Sequence, residues 1–167
     1  MLRDKTTAFL ALGSNVGDRN ANLDAAASAL ASAGGVYLYQ ASPTYESPPE
    51  GPAGQRHFLN RVLAIDTWLG PRELLQTCQD IEKALGRKKK VSKGPRIIDV
   101  DILLYDDLVI DEPALKIPHE GLKRRPFFLQ PLADVAGDIV IPGEGVPISR
   151  LLGDLAPYEL DVYREES

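Results

Sequence analysis

Gly94-Pro95-Arg96-Ile97-Ile98-Asp99-Val100-Asp101-Ile102-Leu103-Leu104-Tyr105 is the stretch whose reading decides the fold. Residues 97–105 form an apolar run of strand length broken by two aspartates, which predicts a β-strand carrying two carboxylates. Upstream, Pro71 opens a helix at its first position, Leu74, Cys78, Ile81 and Leu85 form one stripe, and Gly86 marks the stop. Residues 58–68 alternate as a strand, and residues 36–45, rich in Tyr and Val, predict another. A helix over residues 20–33 is marked by Leu23, Ala27 and Leu30 and ended by Gly34-Gly35. Residues 7–12 read as a buried strand that runs into the turn cluster Gly13-Ser14-Asn15. The order is β-α-β-β-α-β, the split or ferredoxin-like arrangement of the α+β class. Beyond it, residues 108–110 predict a returning hairpin strand and residues 126–135 a helix. Shorter pieces are expected around 139–141 and 147–155. With no internal repeat and no linker, residues 1–167 are expected to form a single domain.

Size and composition agree with that expectation. The 167 residues are 44% hydrophobic and 26% charged, close to the globular average. A chain of this length can bury roughly 70% of its unfolded surface without disulfide or metal. The net charge of −5 excludes a protein that coats nucleic acid along its whole surface. The single cysteine, Cys78, excludes an internal disulfide and a cysteine-rich zinc site. Residues 25–45 carry no charge, but Gly34-Gly35, Gln40 and Pro43 exclude a spanning helix. The apolar run at residues 8–12 is too short for a secretory leader. A cytoplasmic protein with no membrane partner is expected.

Asp99 and Asp101, at i and i+2 of one strand, point to the same face about 7 Å apart. Two carboxylates on an otherwise apolar strand resist desolvation unless a cation or donor compensates. Mg²⁺ takes one or two carboxylates together with phosphate oxygens and water. A bare D-x-D pair also suits a strand end in solvent. The neighbourhood favours the metal: residues 83–96 hold seven basic residues and no acidic one, a local anion site that leads into the aspartates. Lys and Arg beside a carboxylate pair suit a metal-bound polyphosphate. Nucleic acid is the competing anion, although the patch is short and lacks interleaved aromatics.

Two further constellations lie elsewhere. Residues 47–56 hold three prolines and two glycines, a loop long enough to suggest a working role. After it, Phe58 and Asn60 share a strand face, an aromatic plate beside an amide able to pair with a heterocycle edge. In Pro118-His119-Glu120-Gly121-Leu122-Lys123-Arg124-Arg125-Pro126-Phe127, His119 follows a proline in a turn, and Arg125 and Phe127 supply a phosphate-type donor and a flat apolar surface.

Together these residues resemble the 6-hydroxymethyl-7,8-dihydropterin pyrophosphokinase family of folate biosynthesis. The resemblance spans residues 8–132 at five places in order: Leu12-Gly13-Ser14-Asn15, Ser47-Pro48-Pro49 with Phe58-Leu59-Asn60, Glu82 to Arg87, the Gly94 to Leu103 stretch, and Pro118-His119 with Arg125-Pro126-Phe127. It implies a ferredoxin-like core elaborated into a three-layer α/β/α sandwich. It also implies that Asp99 and Asp101 hold two Mg²⁺ ions bridging the phosphates of the co-substrate ATP. Arg87 and Arg96 would join them at the reacting phosphates. Glu82, Lys89, Ile102, His119 and Arg125 would complete the nucleotide site. Phe58 and Phe127 would sandwich the pterin, while Asn60, Ser47 and Pro48 read its edge. Three positions depart from the family pattern: Lys93 stands where several members carry an aromatic, residues 87–93 are shorter and Lys-rich, and Glu120 follows the histidine.

The implied reaction transfers a diphosphoryl group from ATP to the hydroxymethyl oxygen and releases AMP. The implied partners are those two small molecules, not nucleic acid, and the implied state is a monomer. No residue stands out as a general base, so positioning and electrostatics should dominate, with loops 47–56 and 87–93 closing over the ligands. A ferredoxin-like RNA-binding module and a catalytically silent relative are the rival classes.

Overall fold

The computed structural model describes residues 4–51, 53–86 and 94–165. Its central strand, β1 (Thr6–Ser14), is apolar on both faces and lies between two partners. On one side β1 pairs antiparallel with β4 (Phe58–Thr67), from Thr6 opposite Thr67 to Ser14 opposite Leu59. On the other it pairs antiparallel with β5 (Asp99–Tyr105). Gly13 and Ser14 therefore belong to β1 rather than to a turn, and β5 begins two residues later than its apolar run.

The predicted strand over residues 36–45 is two strands, β2 (Val36–Ala41) and β3 (Tyr45–Ser47), which pair successively along β4. Pro43 sits at the break, where a residue without an N–H cannot extend a ladder. The Ser42 hydroxyl fills in there, accepting the Val62 N–H at 2.9 Å. A short β8 (Asp161–Val162), absent from the sequence reading, adds to β3.

Helices cover both faces. Alternation along β1 sends Leu10 and Leu12 into one cluster and Phe9 and Ala11 into the other. The first cluster packs under α1 (Arg19–Ala31), through Leu23, Ala26 and Leu30, and under α2 (Pro71–Ala84), through Leu74, Cys78 and Ile81. The second packs under α3 (Pro126–Ala136), through Phe128, Leu129 and Leu132, and α4 (Ile148–Leu155). Each buried leucine contributes about 1.5–3 kcal/mol. The predicted helices over 20–33, 71–85 and 126–135 are thus present, and residues 147–155 are chiefly α4.

The expected hairpin strand at residues 108–110 does not return onto β5. Instead β6 (Ile110–Glu112) pairs with β7 (Leu115–Ile117) as a separate two-stranded sheet. β5 has its own irregularity: Phe9 faces Leu104 while Leu10 faces Ile102, so Leu103 is an extra residue, a β-bulge. Before it Val100 and Ile102 join the α1/α2 cluster; after it Tyr105 does so, while Leu103 and Leu104 both join the α3/α4 cluster. Among the described residues no helix is long and apolar enough to cross a membrane.

Candidate active site

Where α3 begins, the sheet face beneath it changes character. Cross-strand register aligns Asp99 of β5, Gly13 of β1, Asn60 of β4 and Tyr45 of β3 in one row. The adjoining row holds Asp101, Ala11 and Val62. Two carboxylates and an amide thus flank a floor of Gly and Ala. A Cβ on Gly13 would stand 3.7 Å from both Asn60 Oδ1 and a Phe58 ring carbon. Without that atom the floor stays open, and above it lies a cleft of about 480 Å³.

One edge of the cleft is an amide held rigid. Asn60 and Ser47 are both buried, and Asn60 Nδ2 donates to Ser47 Oγ at 2.8 Å. That bond fixes which end of the Asn60 amide turns toward the cleft, leaving its carbonyl oxygen beside the Gly13 floor. Phe58 and Pro48 line the same side. Opposite, Phe127 and Phe128 stand edge to face, with ring centroids 5.0 Å apart. Phe128 makes a similar contact with His119, also at 5.0 Å. Phe128, which the sequence reading did not single out, thus buttresses both predicted residues.

His119 is placed by its backbone N–H, which donates to Leu103 O, and by its ring, whose Nδ1 accepts the Gly121 N–H at 2.9 Å. The proton of the neutral ring then sits on Nε2. Arg125 reaches across the mouth to Glu50 of the proline-rich loop, Nε to Oε1 at 3.1 Å. Its guanidinium lies so close to Gly121 that a Cβ there would come within 2.8 Å of it. That guanidinium is the flexible end of its side chain, so a Cβ at position 121 would be met by a shift of Arg125. Glu50 sits in an exposed loop and gave no signal.

On the acidic wall, Arg96 is 7% exposed and lies beside Asp99, Nε to Oδ1 at 3.6 Å. Asn15 ties this region to the proline-rich loop. Its Oδ1 accepts the Arg96 N–H at 2.7 Å, and its Nδ2 donates to Arg56 O at 3.2 Å. Glu82, expected at the nucleotide, is buried and accepts the Val100 N–H at 2.9 Å, so it also pins β5 between the two aspartates. Burial, and then the charges of Glu82 and Asp101, push the Cys78 thiol up. Arg87 and Lys89 lie outside the described residues, as does the rest of the basic loop from 87 to 93.

A second cleft of about 580 Å³ adjoins the first and shares Asp101, His119 and Glu120 with it. Glu82, Ile102 and Lys116 are among its other walls. Asp101 therefore stands where the two clefts meet, with Asp99 beside it in the first. Among the described residues no group of three or more His, Cys, Asp or Glu side chains converges. The acidic set is a pair, the donor number that suits a hard cation sharing its shell with phosphate and water.

The model of the 7,8-dihydro-6-hydroxymethylpterin-pyrophosphokinase family matches residues 9–137. The chain belongs to that family. It is 45% identical over 141 residues to the 2-amino-4-hydroxy-6-hydroxymethyldihydropteridine pyrophosphokinase of Methylorubrum extorquens, covering 84% of this chain and 89% of that protein. With the enzyme of the same name from Pseudomonas aeruginosa it shares 41% identity over 151 residues, 90% of this chain and 92% of the other. A crystal structure of Plasmodium falciparum HPPK-DHPS with pteroate superposes at a TM-score of 0.72 with 16% identity, over 92% of this chain and 43% of that one, a likeness of fold. As a family member the chain is a pyrophosphokinase, a transferase of folate biosynthesis. Every residue that lines the two clefts lies within the matched segment.

Proposed function

We propose that the first cleft binds 6-hydroxymethyl-7,8-dihydropterin, the second binds ATP, and the diphosphoryl group passes between them at Asp99 and Asp101. The observation that carries this reading is the placement of Asp101 where the two clefts join, with Asp99 on the same face of β5. A flat heterocycle fits between Phe58 and Phe127, where stacking contributes about 0.5–1.5 kcal/mol beyond burial. Asn60, locked by Ser47, offers its carbonyl oxygen to the ring edge, and Pro48 closes that side. Glu82, Ile102 and His119 line the nucleotide cleft, with Arg125 closing on the phosphates once it leaves Glu50.

The donor set fits two Mg²⁺ ions, held by Asp99 and Asp101 with phosphate oxygens and water completing each shell. When bound, the metal neutralises phosphate charge and fixes the direction of the in-line displacement. The remaining work falls to the chain. Asn60 and the aromatic plates orient the pterin so that its hydroxymethyl oxygen faces the β-phosphorus. Arg96, already fixed beside Asp99, and Arg87 offset charge on the departing α-phosphate oxygen, and His119 donates from Nε2 to a phosphate oxygen. Lys89 belongs to the same basic run. AMP leaves and no covalent intermediate forms on the enzyme.

The frame is read as a ferredoxin-like core within a three-layer α/β/α sandwich, which the strand order β5-β1-β4 flanked by β2 and β3 supports. Residues 1–167 are read as one domain acting as a monomer. A reducing, ATP-containing compartment, the cytoplasm, suits its lone thiol. The RNA-binding alternative needs an open sheet face carrying aromatics, whereas helices pack on both faces here. Incubation with ATP, Mg²⁺ and the hydroxymethyldihydropterin should yield AMP and the pterin diphosphate. ADP as the nucleotide product, or no turnover with Mg²⁺ present, overturns the reading.

A further inference from the structure

Phe127 occupies a helix turn that is weakly held by its own backbone. Pro131 lies inside α3, and it has no N–H to donate to the Phe127 carbonyl four residues earlier. The N-cap, Arg125, makes no side-chain capping bond, and the first turn holds no acidic residue. Something other than helix hydrogen bonding must set where Phe127 stands.

Two turns along the same helix, Asp134 makes a side-chain contact with the sheet. Its Oδ2 accepts the hydroxyl of Tyr45, a residue 89 positions away on β3. Its Oδ1 accepts Gln130 Nε2 at 3.3 Å. Seven residues of α-helix turn through nearly two full circles, so Asp134 and Phe127 share one helix face. Tyr45 itself is buried and pairs in register with Asn60. The bond thus joins the helix face that presents Phe127 to the strand row that presents Asn60.

We infer that Tyr45 and Asp134 are positioning residues whose hydrogen bond sets the rotation of α3 and so the place of Phe127 over the cleft. The inference rests on the reading of that cleft as the pterin site. Desolvation, and then the Asp134 carboxylate, push the Tyr45 hydroxyl up, so it remains a donor at neutral pH. Loss of the bond leaves only the packing of Phe128, Leu129 and Leu132 to resist a small roll of α3 about its axis. The pterin, sandwiched by Phe127, feels that roll, while ATP in the adjoining cleft does not.

Steady-state kinetics on the full chain test this with four variants. Tyr45→Phe and Asp134→Leu should each raise KM for the pterin about fivefold, the scale of one partly buried hydrogen bond. KM for ATP and kcat should stay within about twofold, and Asp134→Asn, which keeps an acceptor oxygen, should stay near the parent. In a Phe127→Ala background, adding Tyr45→Phe should change nothing more, because the plate it positions is gone. Additive effects in that double variant, or equal rises in both KM values with a lowered Tm, overturn the inference and make Tyr45 a packing residue. A Phe127→Ala variant with unchanged pterin KM instead overturns the assignment of the pterin site, on which the inference depends.

Discussion

The two faces of the central sheet are built from alternate residues of the same strands, yet they are finished differently. On the α1/α2 face the apolar rows run without a gap from Ala8 to Leu12 and from Val100 to Ile102. On the opposite face α3 and α4 cover Ala11, Val62 and Leu104, and beyond them the rows turn to Gly13, Asn60, Asp99 and Asp101. One face is filled for stability and the other stops short. The uncovered end supplies a rigid floor, because its strands are held from behind by the filled face.

That contrast can be broken by substitution. The largest effect is expected from Leu63→Ala on the filled face, which should cost about 3–5 kcal/mol in urea denaturation while turnover per folded molecule stays unchanged. A matching loss of turnover in the folded fraction would show that the faces are not independent. On the unfilled face, Asp99→Asn and Asp101→Asn should each cut kcat at least about a hundredfold, or some 2.7 kcal/mol. Asp101→Asn should not lower Tm, since removing one of two neighbouring carboxylates relieves repulsion, whereas Asp99→Asn also takes the counter-charge from buried Arg96 and should lower it. Near-normal turnover in both would remove the metal assignment.

Smaller effects sharpen the comparison. Gly13→Val should raise the pterin Kd about tenfold or more by filling the floor between Phe58 and Asn60, with nucleotide binding little changed, as read by titration calorimetry. The smallest effect belongs to Cys78 beneath the filled face. Its thiol is raised in the folded chain, so the folded state keeps its proton where the unfolded state begins to lose it. Stability should therefore be whole below about pH 8.5, the ordinary thiol value, and fall as pH rises above it. Tm measured from pH 7 to 10 should show that decline, Cys78→Ala should remove part of it, and the native thiol should resist a thiol reagent at pH 8.

Much of the filled face was legible in the sequence, because a stripe such as Leu74, Cys78 and Ile81 repeats at the helix period. The break at Pro43 was missed because Tyr recurs on both sides of it, at 37, 39 and 45. The β6–β7 hairpin was misplaced because three-residue strands carry too little pattern to fix a partner. In the cleft, the D-x-D pair and the Phe58/Asn60 pair announced themselves by short-range spacing. Phe128 looked like ordinary core, and the Tyr45–Asp134 contact joins positions 89 residues apart. Contacts of that kind are made by the fold and leave no local signature. Gly121 was visible as a glycine, but the guanidinium that packs over it arrives from a side chain four residues later.

The bulge at Leu103 has a consequence for how β5 tolerates changes in length. It acts as a phase shifter between two independent alternations, one that turns Asp99 and Asp101 to the clefts and one that buries Tyr105 on the filled face. Deleting Leu103 would leave both on their faces, because Ile102 and Leu104 already oppose the consecutive residues Leu10 and Phe9 and the shortened strand would alternate regularly. What would go is the local bend of the bulge and the Leu103 carbonyl that accepts the His119 N–H. Residue identity at position 103 is then open to any apolar side chain that fits, whereas the extra residue itself is what presents that carbonyl to His119.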